Sequence, residues 1–348
     1  MADLLDPDAV PAALAMMFAT RKSQPDLLAG VDDDDCAVLR WEHPFLVVTT
    51  DYVNANPIAL EFGVGDQSTI GRLVVAANLA DILGTGAVPV CLLLSVVMPR
   101  DADATEFQAL VNGARAEAER WSVPIVGGDT KLGSALAVCG TAIGAADHEA
   151  GLFLKYRARP GDAIWSSGNL GSCSAAVLGM AHRIPDENFT SWAVNVLTSP
   201  NLPIAQSRAV SELRLSSGGT DISDGLGTDL AQMCAASGVG ATVDLQEIPI
   251  HPQAASIGGR LGLPPWAFAF GIGGEFQFIV TAPSAATDAM ARLGLSRIGT
   301  VTASLDLLVR RCDGRIRELP RGGHRDGRRM SFASEVSKLV HEARDVVE

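Results

Sequence analysis

Acidic residues recur in this chain beside glycine and small polar residues, at points where apolar runs end. The places are Asp32 to Asp35, Thr49-Thr50-Asp51, Asn78-Leu79-Ala80-Asp81, Val126-Gly127-Gly128-Asp129-Thr130 and Asp221-Ile222-Ser223-Asp224-Gly225. Solubilising charge sits on exposed faces, so carboxylates closing apolar elements call for another account. Hard oxygen ligands with no His or Cys cluster nearby suit magnesium, which takes one or two carboxylates, keeps several waters and bridges to phosphates. If the acids converge, their repulsion requires cations, and the cations form a positive patch for a nucleoside triphosphate. Taken singly, Asp81 and Asp224 fit equally well as helix-boundary caps, and Asp32 to Asp35 as a solvated loop.

Two glycine segments, Gly127-Gly128-Asp129 after a strand and Gly168 to Gly171 before a helix, are candidates to offer backbone N–H groups to phosphate. The GxxxxGK[ST] pattern is absent, as is a kinase-type GxGxxG in context, which excludes P-loop and protein-kinase use of ATP.

The elements that must position these residues alternate between strand and helix in both halves. The pattern predicts an opening helix over 11–20, a strand over 45–50, a buried helix over 71–83 and a strand over 90–98. A helix over 103–121, a short strand over 124–126 and another over 135–145 follow. After a polar stretch ending Arg159-Pro160-Gly161-Asp162 come strands over 163–167, 241–245, 278–282 and 296–302. Helices are predicted near 172, over 204–212 and 228–237, and over 331–347. These elements predict two domains of α/β or α+β class: 1–150, 151–325, and then a polar segment with a C-terminal helix over 326–348.

With 348 residues, 47% hydrophobic and 19% charged, the chain has ample material for folded cores. A net charge of -13 disfavours nucleic acid and anionic lipid, so any phosphorylated ligand needs local devices to hold it. The acidic first twenty residues do not resemble a secretory segment, and the apolar run Val88 to Met98 is too short to span a membrane. The cysteines are scattered without a CxxC pair, as expected of reduced core thiols in a cytoplasmic protein.

In the same segments the chain resembles the thiamine-monophosphate kinase branch of the aminoimidazole-ribonucleotide-synthetase-like superfamily. The resemblance is carried in order by Asp34 to Val38, Thr49-Thr50-Asp51, Asn78 to Asp81, Gly127 to Thr130, Arg159 to Asp162, Asp221 to Leu226 with Asp229-Leu230, and Gly273-Gly274-Glu275. It implies an N-terminal domain that forms a homodimer through its sheet, a C-terminal α/β domain, and ATP with Mg2+ in the cleft between them. It further implies Asp35, Thr49, Thr50, Asp51, Asp81, Asp129, Asp221 and Asp224 as magnesium ligands. Gly128, Asp129, Ser223 and Lys155 would contact ATP, with Asp51, Asp224 and Lys155 closest to the chemistry. Lys155 stands where the family commonly has Arg, which keeps the charge but loses the bidentate fork.

The acceptor side departs from the family pattern. A His expected after Thr-Thr-Asp is replaced by Pro57-Ile58, and Gly-Gly-Glu-Asp-Tyr-Glu becomes Gly273-Gly274-Glu275-Phe276-Gln277-Phe278. The closing Gly-Tyr-Asp-His-Phe becomes Gly322-Gly323-His324-Arg325-Asp326. Ile58 and Glu275 therefore stand at the substrate positions. The resemblance implies a kinase acting on a small phosphorylated or heterocyclic acceptor. The altered motifs motivate an alternative, a ligase or cyclase that phosphorylates an amide or carboxylate oxygen for attack by a nitrogen nucleophile. A silent binding protein is the third reading, disfavoured by the retained acids. The absence of a reactive cysteine near either end disfavours selenophosphate synthesis and cyanide-ligand assembly.

Overall fold

The computed structural model of the chain describes residues 26–29, 38–321 and 331–348. The predicted helix over 11–20, the Asp32 to Asp35 loop and Gly322 to Asp326 lie outside the described residues. The chain divides into two compact units, Met1–Ile82 with Val88–Asp147, and Leu83–Ala87 with His148–Glu348.

In the first unit, β1 (Leu27–Ala29) pairs with β2 (Val38–Leu39). Then follow β3 (Phe45–Val53), α1 (Ile58–Glu61), α2 (Gln67–Gly84), β4 (Val88–Pro99), α3 (Ala104–Trp121), β5 (Ile125–Gly133) and β6 (Ala137–Ala146). The long strands form a sheet in the order β3-β6-β4-β5, antiparallel except for β4 with β5. Along β3 half-buried and exposed residues alternate throughout, the period-two signature of a sheet with one covered face. The covered face lies under α2, which packs so closely that a Cβ on Gly140 or Gly144 of β6 would strike Asn78 or Ile82. Helix α2 buries Ile70, Val74, Val75, Leu79 and Ile82, as its shortage of charge predicts. Helix α3 opens on a capping box, in which Asp103 Oδ1 accepts from Thr105 N–H (2.7 Å) and Glu106 Oε2 accepts from Asp103 N–H (3.1 Å).

The second unit runs β7 (Ala163–Ser166), α4 (Ser172–Ala181), α5 (Glu187–Thr198), α6 (Ile204–Leu213), β8 (Gly219–Ile222), α7 (Leu226–Ser237) and β9 (Gly240–Asp244). It continues through α8 (Pro252–Leu261), β10 (Gln277–Ala282), α9 (Thr287–Arg292), β11 (Ser296–Thr302), β12 (Leu307–Arg310), β13 (Ile316–Glu318) and α10 (Phe332–Val347). The strands form one sheet, β13-β12-β9-β11-β7-β10-β8, parallel only at β12 with β9. Mixed sheets with packed helices make the architecture α+β in both units. A core of Phe153, Trp165, Val210, Phe278, Val280 and Met290 is built on this sheet, with the Phe153 and Phe278 rings 5.9 Å apart. Helix α10 packs on α4 through an apolar stripe of Val336, Leu339, Val340 and Ala343.

Two sequence expectations change in detail. Strand β5 does not stop at Val126 but continues through Gly127, Gly128 and Asp129 to Gly133. A Cβ on Gly128 would lie 1.8 Å from the Leu94 carbonyl oxygen, so its glycine serves close strand approach and not a turn. Cys91, Cys173 and Cys234 are buried, and burial raises the Cys91 and Cys234 thiols to about 11; Cys312, however, is exposed on the β12–β13 turn.

Candidate functional site

The sheet of the first unit places its acids on two different faces. Alternation along β3 sends Thr49 and Asp51 toward α2, where Thr49 Oγ1 donates to Asp81 Oδ2 at 2.6 Å. Asn78, fully buried one turn before Asp81, fixes this arrangement: its Oδ1 accepts from Asp51 N–H (3.1 Å) and its Nδ2 donates to Val74 O (2.8 Å). An edge strand such as β3 has N–H groups with no neighbouring strand, and Asn78 supplies the missing acceptor. Thr50 points the other way, and its Oγ1 donates to Gly140 O (2.7 Å).

Asp129 does not join that group within the unit. Its register partner is Ser95 on β4, which in turn faces Cys139 on β6 and through it Tyr52, so Asp129 shares the face opposite Asp51. It stands on the far edge strand, three strand spacings or about 14 Å across the sheet from β3. Its side chain is 62% exposed and pairs with Lys131 Nζ at 3.1 Å. One ion with metal–oxygen bonds of about 2.1 Å cannot bridge Asp51 and Asp129 of a single chain. The expectation that each acid closes an apolar element at a buried end therefore fails for Asp51 and Asp129, which lie inside strands.

In the second unit, Asp221 is the penultimate residue of β8 and Asp224 sits in the turn that leads into α7. Buried Asp229, in the first turn of α7, organises this turn: its Oδ2 accepts from both Asp224 N–H and Gly225 N–H at 3.0 Å. Burial, and then the Asp221 and Asp224 carboxylates, push the Asp229 carboxyl up to about 8, while Lys155 pulls it down. Lys155 itself is exposed and its Nζ donates to Gln232 Oε1 on α7 at 3.5 Å. Antiparallel pairing of β8 with β10 carries the Gly273-Gly274 loop onto this turn, where Gly274 N–H donates to Ser223 O at 2.9 Å. Gly273 adopts φ +77, and a Cβ there would lie 2.1 Å from Ser223 O, so only glycine allows the contact. Ser223 is exposed at the apex.

Glu275 follows this loop and occupies the N-terminus of α4. Its two carboxylate oxygens accept from Ser172 N–H (3.2 Å) and Cys173 N–H (3.3 Å). Burial raises its carboxyl to about 8 against the opposing pull of these N–H groups. Glu275 also lines a cavity of about 400 Å3 whose walls include Trp192 and Asn195 from α5, His251 and Gln277. Trp192 and His251 stack with centroids 5.1 Å apart and ring planes 24° apart. Ile58 begins the short α1, half-buried, in the first unit. Asp162, in the Arg159 to Asp162 segment, is structural: buried, it accepts from Arg159 N–H (3.3 Å) and from the Ser217 hydroxyl.

No group of three His, Cys, Asp or Glu side chains forms a ready metal cage among the described residues, and Asp35 lies outside them. A fit to magnesium nevertheless shows at Asp221, whose Oδ2 is buried and accepts no hydrogen bond among the described residues. A carboxylate oxygen in that state is costly unless a cation meets it, and a hard divalent ion with its waters suits an oxygen-only donor set. Sequence reasoning placed Asn78 and Asp229 only within motifs; both act by holding the backbone beside an acid. Trp192 and His251 carried no sequence signal.

The described helices include none long and apolar enough to cross a membrane. Residues 33–146 match the family model of the AIR synthase related protein N-terminal domain, and residues 159–310 that of its C-terminal domain. A thiamine-monophosphate kinase of Corynebacterium glutamicum is 30% identical over 79% of this chain and 82% of its own length. One from Pyrococcus horikoshii is 28% identical over 72% of this chain and 76% of its own length. The crystal structure of the thiamine-monophosphate kinase of Stenotrophomonas maltophilia K279a superposes with a TM-score of 0.75 at 26% identity, covering 90% of this chain and 98% of that one. The chain belongs to the AIR synthase related family, in its thiamine-monophosphate kinase branch.

Proposed function

We propose that the protein is an ATP-dependent kinase that transfers the γ-phosphoryl group of Mg-ATP to the phosphate of a thiamine-monophosphate-type acceptor in the cytoplasm. The observation that carries this reading is the buried Asp221 oxygen beside Asp224, which accepts no hydrogen bond among the described residues, on a turn held by Asp229 and by the Gly273-Gly274 loop. Thr49, Asp51 and Asp81 form a second oxygen-rich group on the first unit, with Asn78 as its brace.

Phosphoryl transfer requires alignment and charge neutralisation more than covalent help. Magnesium bound at Asp221 and Asp224, and at Thr49, Asp51 and Asp81, would neutralise the phosphates. Exposed Lys155 would bring a positive charge beside the nucleotide, and the backbone N–H groups at Ser223 and Gly128 would donate hydrogen bonds to it. In the transfer the bond from the γ-phosphorus to its bridging oxygen breaks, ADP leaves with the electron pair, and an acceptor phosphate oxygen bonds to phosphorus. That oxygen is already anionic at neutral pH, so no general base is needed, and no side chain is assigned as one. Exposed Leu46, Val48 and Tyr52 on the open face of β3 support a homodimer through this sheet, since a lone monomer rarely leaves such a stripe in water.

The reading is tested by incubating the protein with Mg-ATP and thiamine monophosphate and separating the products. Thiamine diphosphate and ADP in equal amounts are expected. ADP with free phosphate and unchanged acceptor would reject the kinase reading and favour the ligase alternative.

A further inference from the structure

Helix α10 carries a second stripe beside the apolar one that packs on α4. Ser334, Ser337, Lys338 and His341 recur at intervals of three and four, which sets them on one side of the helix. On α4 and its C-cap, Leu178, Ala181 and His182 recur in the same way. The two stripes line an open groove of about 570 Å3, within the size range of small-molecule sites. It lies at the C-terminal end of α4, about 15 Å along the helix from the N–H groups that hold Glu275.

In a chain with 40 acidic against 27 Lys and Arg side chains, the described lining of this groove contains no Asp or Glu. Its polar groups are Lys338, two imidazoles and two hydroxyls, each able to donate a hydrogen bond. His341 Nδ1 donates to Ser337 O at 2.7 Å, so Nε2 is the ring atom left for a ligand. A divalent metal is the first rival for that nitrogen. The groove, however, offers it two imidazoles beside a fixed positive charge, and no third His, Cys, Asp or Glu completes a cage among the described residues. An anion suits the set better: Lys338 meets its charge, and an imidazole beside it takes up a proton and donates through Nε2. Glu342 lies 3.5 Å from Lys338 Nζ, but the two side chains are 55% and 49% exposed, and an ion pair in water yields easily to a ligand.

We infer that this groove binds a small organic anion, with a phosphate or carboxylate head and an apolar body, at a site separate from the Asp221 to Gly225 turn. Lys338 and His341 hold the head, and Leu178 and Ala181 cover the body. The net charge of -13 repels anions at long range, so a lining without acids is the local device that such a ligand needs. The family match of the second unit ends at residue 310, whereas α10 begins at Phe332, so half of the groove comes from a segment outside that match. The inference stands whether or not the kinase reading does.

The test is calorimetric titration of the full chain with phenyl phosphate and with benzoate, which share a ring and differ in the head. EDTA is present throughout, so that phosphate held by a metal contributes nothing. At least one of the two binds, and the tighter identifies the head. Lys338→Gln and His341→Gln each weaken binding about tenfold, the loss of one charge-assisted hydrogen bond. Lys338 is exposed, so its variant keeps the fold, which equal melting temperatures verify. Phenol, the same ring without an anionic head, does not compete. Absence of binding by both probes, wild-type affinity in both variants, or competition by phenol at equal concentration overturns the inference.

Discussion

The turn from Asp221 to Gly225 and the cavity walled by Trp192 and His251 lie in the same unit, yet they are built on opposite principles. The turn is held by backbone contacts: Asp229 takes two N–H groups at 3.0 Å, and Gly273 lets its loop reach Ser223 O. Such contacts tolerate one residue type at each position, which is why they leave motifs. The cavity shares Gly274 and Glu275 with that loop but takes Trp192 and Asn195 from a face of α5, where an aromatic ring or an amide can come from many positions. The residues that shape the turn are therefore legible in spacing, and Trp192 and Asn195 of the cavity are not.

The comparison breaks first at the acids. Asp51→Asn and Asp224→Asn are expected to lower ATP turnover at saturating Mg2+ by about a thousandfold or more, with unchanged circular dichroism, as for lost charge stabilisation in phosphoryl transfer. Full activity in either variant removes the metal assignment. The next largest effect is on the fold of the turn. Gly273→Ala forces a Cβ at φ +77 against Ser223 O and should cost about 2 kcal/mol or more, read as a drop in melting temperature. No drop would mean that the loop is not fixed by this contact.

An intermediate effect concerns the open sheet face. Leu46→Asp, at a position 59% exposed, should leave the monomer stable and shift sedimentation toward single chains. An unchanged sedimentation coefficient that matches a dimer would place the interface elsewhere. The smallest effect sharpens the contrast between turn and cavity. Glu275 has its carboxyl raised from 4.5 to about 8, so the folded state binds more protons than the unfolded state between those values. Its contribution to stability is present below about 4.5 and is lost as pH rises toward 8. Glu275→Gln should flatten the fall in melting temperature between pH 5 and pH 8; an identical slope would show that another group governs it.

Most of the strands and the long helices were legible because their apolar periods are clear, as at Phe45–Val53 and Ala104–Trp121. Helix α5 was not, although Asp186 caps it and Phe189, Ala193 and Leu197 recur every four residues. Its Asn, Thr, Ser and Trp positions read as loop composition and mask a narrow stripe. Glycine in Gly127-Gly128 suggested a turn, but tight packing of β5 on Leu94 is an equally good reason for glycine, and spacing alone does not separate the two. The acids were visible as residues but their faces were not: that Asp51 and Asp129 point to opposite sides of the sheet follows from strand register, which is long-range information.

The central claim, that the Asp51 and Asp224 carboxylates serve a magnesium-bound nucleotide, is tested most directly by calorimetry with a non-hydrolysable ATP analogue. Binding should be tight with Mg2+, fall steeply in EDTA, and weaken at least about tenfold in Asp51→Asn and in Asp224→Asn. Equal affinity with and without Mg2+, or in both variants and wild type, would contradict it.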